Sequence, residues 1–301
     1  MLDSQVRRGL GLAFIAVVLF STSVPLTKVA IQGFTPLLTA TGRAVIAGSI
    51  AVVVLAVTRA PRPPRNQVRP LLLTMAGAVF GWPILLAFAL EYTSSAHAAV
   101  IAAFMPLTTA VFAVLRTHER VQTQFWVAAG LGTLALVAFS LTKAQDSAGN
   151  LLADLLVVVA VIFSSWCYVE GASISKVMPG WQVISWVVVF ALPITIPATI
   201  LLWLTTSANY APTATEWSAL IGLGVSSMYV GFIAWYQGLV KAGIAYGGQM
   251  QQLQAPLTLV WSAWFLHEAV TWVTVLSALA VIGCVVWAQR SRAQLTITKA
   301  T

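Results

Sequence analysis

Apolar residues run almost unbroken for about twenty positions at a time, the length a helix needs to cross a hydrocarbon core roughly 30 Å thick. That ruler predicts ten spanning helices, at about 9–30, 35–57, 71–90, 97–115, 123–142, 151–170, 181–204, 217–239, 243–266 and 270–289. Backbone polar groups in lipid must pair within their own segment, so each run reads as a helix. The connections are short, and the two longest polar ones cover 58–70 and 205–216. A single helical bundle without a soluble domain follows. The first run begins after Arg7-Arg8 but is too long for a signal peptide and has no clear small-residue cleavage site, so it is expected to be retained.

Composition strengthens this reading. Of 301 residues 59% are apolar and 8% charged, against roughly 45–50% and 25% in soluble domains. Intrinsic disorder, a disulfide scaffold and an ordinary cytosolic enzyme are excluded on that ground. The net charge of +8 is a topology signal, because Lys and Arg near span ends resist translocation. With the N-terminus cytoplasmic, the inner side holds Arg7, Arg8, Arg59, Arg62, Arg65, Arg69, Arg116, Arg120, Lys176, Lys241, Arg290, Arg292 and Lys299, thirteen of the sixteen bases. Lys143 is left outside, Lys28 near the outer end of span 1 and Arg43 inside span 2. Both termini are therefore expected in the cytoplasm. The bases at 59–69 suit an inner loop beside anionic lipid, and no nucleic-acid partner is expected. Cys167 and Cys284 lie in apolar runs without metal-ligand spacing, so buried free thiols, no metal and no cofactor are expected.

The chain also repeats itself. Residues 105–121 carry Pro106-Leu107-Thr108 followed by His118-Glu119-Arg120-Val121, and residues 255–270 carry Pro256-Leu257-Thr258 followed by His267-Glu268-Ala269-Val270. The first copy ends span 4 and the second ends span 9, so the repeat is five spans long. Five is odd, and the second copy must enter the membrane upside down. Earlier parts match less cleanly: Phe20-Ser21 can be laid on Phe163-Ser164, but Lys28 on Lys176 needs a different offset. The expected fold is an all-α integral membrane protein of ten transmembrane helices in two inverted five-helix repeats, 1–145 and 146–290, with a cytoplasmic tail at 291–301.

Ten spans as five plus five, Pro36 and Arg43 in span 2, and Pro-Leu-Thr followed by Glu closing spans 4 and 9 resemble the EamA-type drug/metabolite transporter superfamily. The resemblance covers nearly the whole chain, with Arg43, Pro106, Glu119, Pro256 and Glu268 on the family pattern. Where the family often has Gly before each Glu, this chain has His118 and His267. The resemblance implies an inner-membrane permease for small molecules, in bacteria usually an exporter of amino acids or related metabolites. General likeness brings the chain near the YddG-type exporters of aromatic and other amino acids.

Several residues bear on such a role without the family. Pro106 and Pro256 fall near the middle of spans 4 and 9 at related positions, where lost helical hydrogen bonds would let half-helices swing; static kinks are the alternative. In Gln249-Met250-Gln251-Gln252-Leu253-Gln254, four amides must find partners or water within hydrocarbon. At 100° per residue Gln249 and Gln252 share a face with Tyr246, while Gln251 and Gln254 point the other way. One pair should line a wet cavity and the other tie neighbouring helices, and the expectation is that Gln249 and Gln252 line the cavity. Trp82 and Trp235 lie deep enough to supply aromatic walls. Arg43 must face protein or water, holding a substrate carboxylate or a structural partner. His97, at the outer end of span 4, is a candidate gate or a satisfied helix-end histidine. Small residues at four-residue spacing, such as Gly77 with Gly81 and Gly243 with Gly247, make seams within the chain or between two copies, so monomer and homodimer both fit.

Other classes fit less well. An intramembrane protease needs a nucleophile with a base at depth, and Ser164, Ser165 and Ser227 have no deep His in any evident pattern. His118-Glu119 and His267-Glu268 lack the second His of a zinc motif. A carrier of nucleotide sugars or other phosphorylated solutes wants several convergent bases, and the spans hold essentially Arg43. Export of amino acids with apolar or aromatic side chains, around a cavity between the repeats, is the expected activity.

Overall fold

The computed structural model describes residues 3–92, 101–102, 104–143, 151–206, 211–266 and 272–298. Among these, regular structure is entirely helical. The helices are α1 (Ser4–Ser21), α2 (Ser23–Ala30), α3 (Pro36–Val57), α4 (Arg65–Met75), α5 (Trp82–Tyr92), α6 (Met105–Thr117), α7 (Thr123–Lys143), α8 (Leu151–Ile174), α9 (Gly180–Thr206), α10 (Ala214–Gly222), α11 (Gly231–Ala242), α12 (Ile244–Gly248), α13 (Gln254–Leu266) and α14 (Trp272–Thr298). Among the described residues, six continuous helical stretches are long and apolar enough to cross a membrane, beginning at Ser4, Pro36, Arg65, Leu151, Gly180 and Ala214.

Local chemistry sets the starts of these helices. The Asp3 carboxylate accepts from the Gln5 N–H ahead of α1. Thr35 Oγ1 accepts from Leu38 N–H at 3.2 Å, and Pro36 opens α3 where no backbone donor is needed. Thr213 and Glu216 form a reciprocal capping box at α10.

The packing exchanges the two halves of the chain. α1 lies along α11, and in the mirrored arrangement α8 lies along α4 and α5. α3 packs on α9, α7 on α14, and α6 on α12, each pairing one half with the corresponding part of the other. Close approach follows from small side chains. A Cβ on Gly9 would lie 2.6 Å from the Ala242 nitrogen, and one on Gly238 2.7 Å from the Ala13 nitrogen, so α1 and α11 touch backbone to backbone. Gly77 makes the equivalent approach to the Phe163 carbonyl on α8.

Long spans are interrupted, and the interruptions come in pairs. Between α4 and α5 the chain forms a π-helical segment, Ala76–Gly81, and between α10 and α11 another, Leu223–Val230. Each ends with an N–H donating five residues back, Trp82 to Gly77 and Gly231 to Ser226. At the end of each sits a glycine against a phenylalanine: Gly81 under Phe163 and Gly231 under Phe20. These are the two phenylalanines that the repeat pairs in sequence. A side chain at either glycine would meet both the ring and the carbonyl of the wide turn, which is why the segment closes on glycine there. Pro106 and Pro256 also correspond, each in the first turn of its helix, α6 or α13. Ahead of Pro256 the backbone tightens into a 3₁₀ segment, Gln249–Leu253. A proline donates no hydrogen bond to the residue four back, so the preceding turn is free to leave α geometry.

Gly231→Ala should destabilise the protein by about 1–3 kcal/mol, since its Cβ would stand 2.8 Å from both the Phe20 ring and the Ser226 carbonyl. Thermal unfolding in detergent, with Phe20→Ala and the double variant, checks the contact. The double variant should lose less than the sum of the singles, and simple additivity would rule the contact out.

A polar and aromatic centre between the two halves

Arg43, on the inward side of α3, reaches the second π segment, where its Nη2 donates to Ser227 Oγ at 2.7 Å. Ser227 in turn donates to the Leu223 carbonyl, so its one proton is used. The Nε of Arg43 is buried and has no hydrogen-bond partner. Tyr168 of α8 lies within electrostatic reach of the guanidinium. Its hydroxyl accepts from Gln251 Nε2 at 3.2 Å, and the same amide nitrogen meets Met105 Sδ and Gln254 Oε1. Gln251 Oε1 is buried without a partner.

One side of this polar group is aromatic. Trp235 is fully buried, with its ring centroid 5.2 Å from that of Tyr168 and 5.9 Å from Phe20. Phe232 packs edge-on to Phe20 and tilted against Tyr168. The Trp235 indole N–H has no partner. Elements from both halves meet here, α1, α3 and α6 from the first and α8, α11 and the 3₁₀ segment from the second. A guanidinium, a phenol, a carboxamide and a tryptophan edge therefore converge beside an apolar wall, an arrangement suited to a small solute with a polar end and an apolar end.

The residues expected from sequence separate into groups. Arg43 and Trp235 stand in this centre. Gln249 and Gln252 do not: they lie on the opposite face, fully buried in the seam with α6 and α7. Gln249 Nε2 donates to the Pro106 carbonyl at 3.2 Å, and Gln252 Nε2 to the Ala129 carbonyl at 3.1 Å and to Gln249 Oε1. The Gln252 amide lies directly over Gly132, which has no side chain to displace it. Gln249 and Gln252 thus tie α6 and α7 to the 3₁₀ segment, whereas Gln251, on the other face, bonds Tyr168 and Met105. Tyr246 shares the first face, its ring 4.7 Å from Phe125 and its carbonyl accepting from Gln289 of α14. Trp82 opens α5 half-buried against the main core. His97 lies outside the described residues, as do His267 and Glu268. Pro106 and Pro256 stand at the helix breaks already described.

Tyr168, close to Glu170, and Ser227, beside Ser226, carry no distinguishing signal in the sequence. An ion pair was also not anticipated. Arg116 at the end of α6 makes two hydrogen bonds, 3.1 and 3.3 Å, to the buried carboxylate of Glu170 on α8. Beside it Glu119 accepts from the Ala245 N–H at the start of α12. These contacts fasten α6, α8 and α12 at one end of the bundle. An apolar groove of about 340 Å³ between α6 and α8 is lined by Ile101, Phe104, Thr108, Val158, Val161 and Ile162.

Comparison with known proteins agrees with a two-part transporter. Residues 7–141 and 151–288 each match the EamA-like transporter family. An uncharacterized transporter of Bacillus subtilis (strain 168), YdeK, is 37% identical over 285 residues, 92% of this chain and 95% of that protein. A second from the same strain, the uncharacterized transporter YetK, is 20% identical over 73% of this chain and 67% of its own length. A crystal structure with 19% sequence identity superposes with a TM-score of 0.76 over 93% of this chain and 97% of its own, which concerns the fold.

Two stability comparisons follow. Gln252→Leu should cost about 1–2 kcal/mol by stranding Gln249 Oε1 in the seam, and Gln251→Leu less. Arg116→Gln should cost more than Glu170→Gln, because it leaves a buried carboxylate unpaired. Thermal unfolding in detergent reads both orders, and a reversed order in either pair would contradict the packing described.

Proposed function

We propose, from the premise that this chain belongs to the EamA-like transporter family, that it exports amino acids with apolar or aromatic side chains across the plasma membrane. The observation that carries this reading is the centre where Arg43, Tyr168 and Gln251 stand beside Trp235, Phe232 and Phe20. A zwitterion must give up water to enter the bundle, and charged and amide groups at the centre replace that water. Its side chain meets an aromatic wall, where burial of each methylene contributes about 0.8 kcal/mol. Related metabolites with the same amphipathic outline would also be accepted.

Ten spans in two inverted repeats, with both termini cytoplasmic, are the topology proposed for this activity. The repeats would rock about the centre and open it to each side in turn. The paired π segments and the breaks at Pro106 and Pro256 are the places where a span can bend without breaking a continuous α ladder. The Arg116–Glu170 pair would hold the cytoplasmic end closed while the other end is open. Export down a gradient needs no further coupling group at the centre, and none is invoked.

Counterflow in proteoliposomes tests the reading. Vesicles loaded with unlabelled phenylalanine should take up labelled phenylalanine above the empty-liposome control. Gln251→Leu should lower uptake about tenfold to a hundredfold, the effect of one hydrogen bond to a charged group of the solute. Gln252→Leu should lower it only in proportion to folded protein. Absence of uptake by folded wild-type protein would reject amino-acid export, and equal loss in both variants would move the site away from Gln251.

A further inference from the structure

We propose that Arg43 is the anchor for a substrate carboxylate, so that the protein requires a carboxylate on its solutes and discriminates against amphipathic amines; this deepens the reading just given and rests on it for the place where the solute binds. The starting point is a charge without a counter-charge. Arg43 keeps its proton under all ordinary conditions. A guanidinium inside a membrane-spanning helix is tolerated only when paired or wetted. Yet among the described residues no carboxylate pairs with it, and its one hydrogen bond is to the neutral hydroxyl of Ser227.

Four acids among the described residues are engaged elsewhere. Glu170 is held by Arg116, Glu119 by the Ala245 N–H, and Glu216 by the Thr213 cap. Asp3 caps α1. A structural tie between α3 and the π segment would need only a neutral donor, and the charge adds desolvation cost to that role. What the charge can do that a neutral donor cannot is bind an anion. The fork of a guanidinium matches the two oxygens of a carboxylate, and the buried, unpartnered Nε is one prong of that fork.

The neighbours suit the rest of the solute. Gln251 Oε1, buried and without a partner, can accept from an ammonium group. Trp235 and Phe232 supply the apolar face. A single guanidinium neutralises one negative charge, which fits a monocarboxylate and leaves a dianionic phosphate uncompensated. Ser227 places the anchor on the second π segment, so a solute held by Arg43 bears directly on a place where a span can bend.

Competition against labelled phenylalanine and ligand-induced shifts of Tm in detergent test this, using three compounds that share a phenyl group: phenylalanine, 3-phenylpropionate (carboxylate, no amine) and phenylethylamine (amine, no carboxylate). In the wild type 3-phenylpropionate should bind about tenfold to a hundredfold more tightly than phenylethylamine, the range for a charge-assisted pair. In Arg43→Gln that preference should collapse, and in Arg43→Lys, which keeps the charge without the fork, it should persist at reduced affinity for the carboxylate. A wild type that binds the amine as well as the acid overturns the proposal, as does a preference unchanged in Arg43→Gln. Should Arg43→Gln fail to fold, the wild-type series and Arg43→Lys decide alone. The Tm shifts do not require transport: carboxylate-dependent shifts without phenylalanine exchange would keep the anchor and reject amino-acid export. Exchange without a carboxylate requirement would do the reverse.

Discussion

A polar group in hydrocarbon has no water to fall back on, and the structure is organised by where each such group finds its partner. Most hydroxyls return to their own helix: Thr41 to Leu37, Thr74 to Pro70, Thr195 to Ala191. The glutamines of 249–254 cannot do so, since their amides carry both donors and acceptors. They reach across to α6, α7 and α8 instead. In this way one short 3₁₀ segment connects three helices of the bundle and places an unpaired amide oxygen at its centre. The amide nitrogens of Gln249 and Gln252 hold the halves in register, and the Gln251 amide bonds Tyr168.

The same constraint explains the paired irregularities. A helix in lipid keeps its backbone bonds internal even where it bends, and a π turn does this by shifting the ladder one residue rather than opening it. Gly81 and Gly231 let each π turn close against a phenylalanine from the other half. The two contacts, Gly81 with Phe163 and Gly231 with Phe20, each join one repeat to the other. Bending at one π segment therefore changes the packing of a helix in the opposite repeat, which is the kind of coupling an alternating-access carrier needs. That one end of the bundle is tied by an ion pair follows a different logic, because Arg116 is partly exposed there and its charge remains partly solvated.

The helical fold and its doubled organisation were legible in the chain because both rest on local or repeated patterns: apolar runs of spanning length, and Pro-Leu-Thr with His-Glu recurring once. Arg43 and Trp235 were legible as candidates because a charge or an indole deep in a span demands an explanation. Periodicity also placed Gln249 and Gln252 on one face and Gln251 on another. It could not say which face met the centre, since angular position along one helix carries no information about its neighbours. Packing against Gly132 and Ala129 made that decision. Tyr168, Ser227 and the Arg116–Glu170 pair were beyond reach for the same reason, because each owes its role to a residue 54 or more positions away. Sequence thus determined what had to be buried and how often the pattern recurred; tertiary structure alone decided which buried polar atoms found partners, because a hydrogen bond is decided by a few tenths of an ångström between helices.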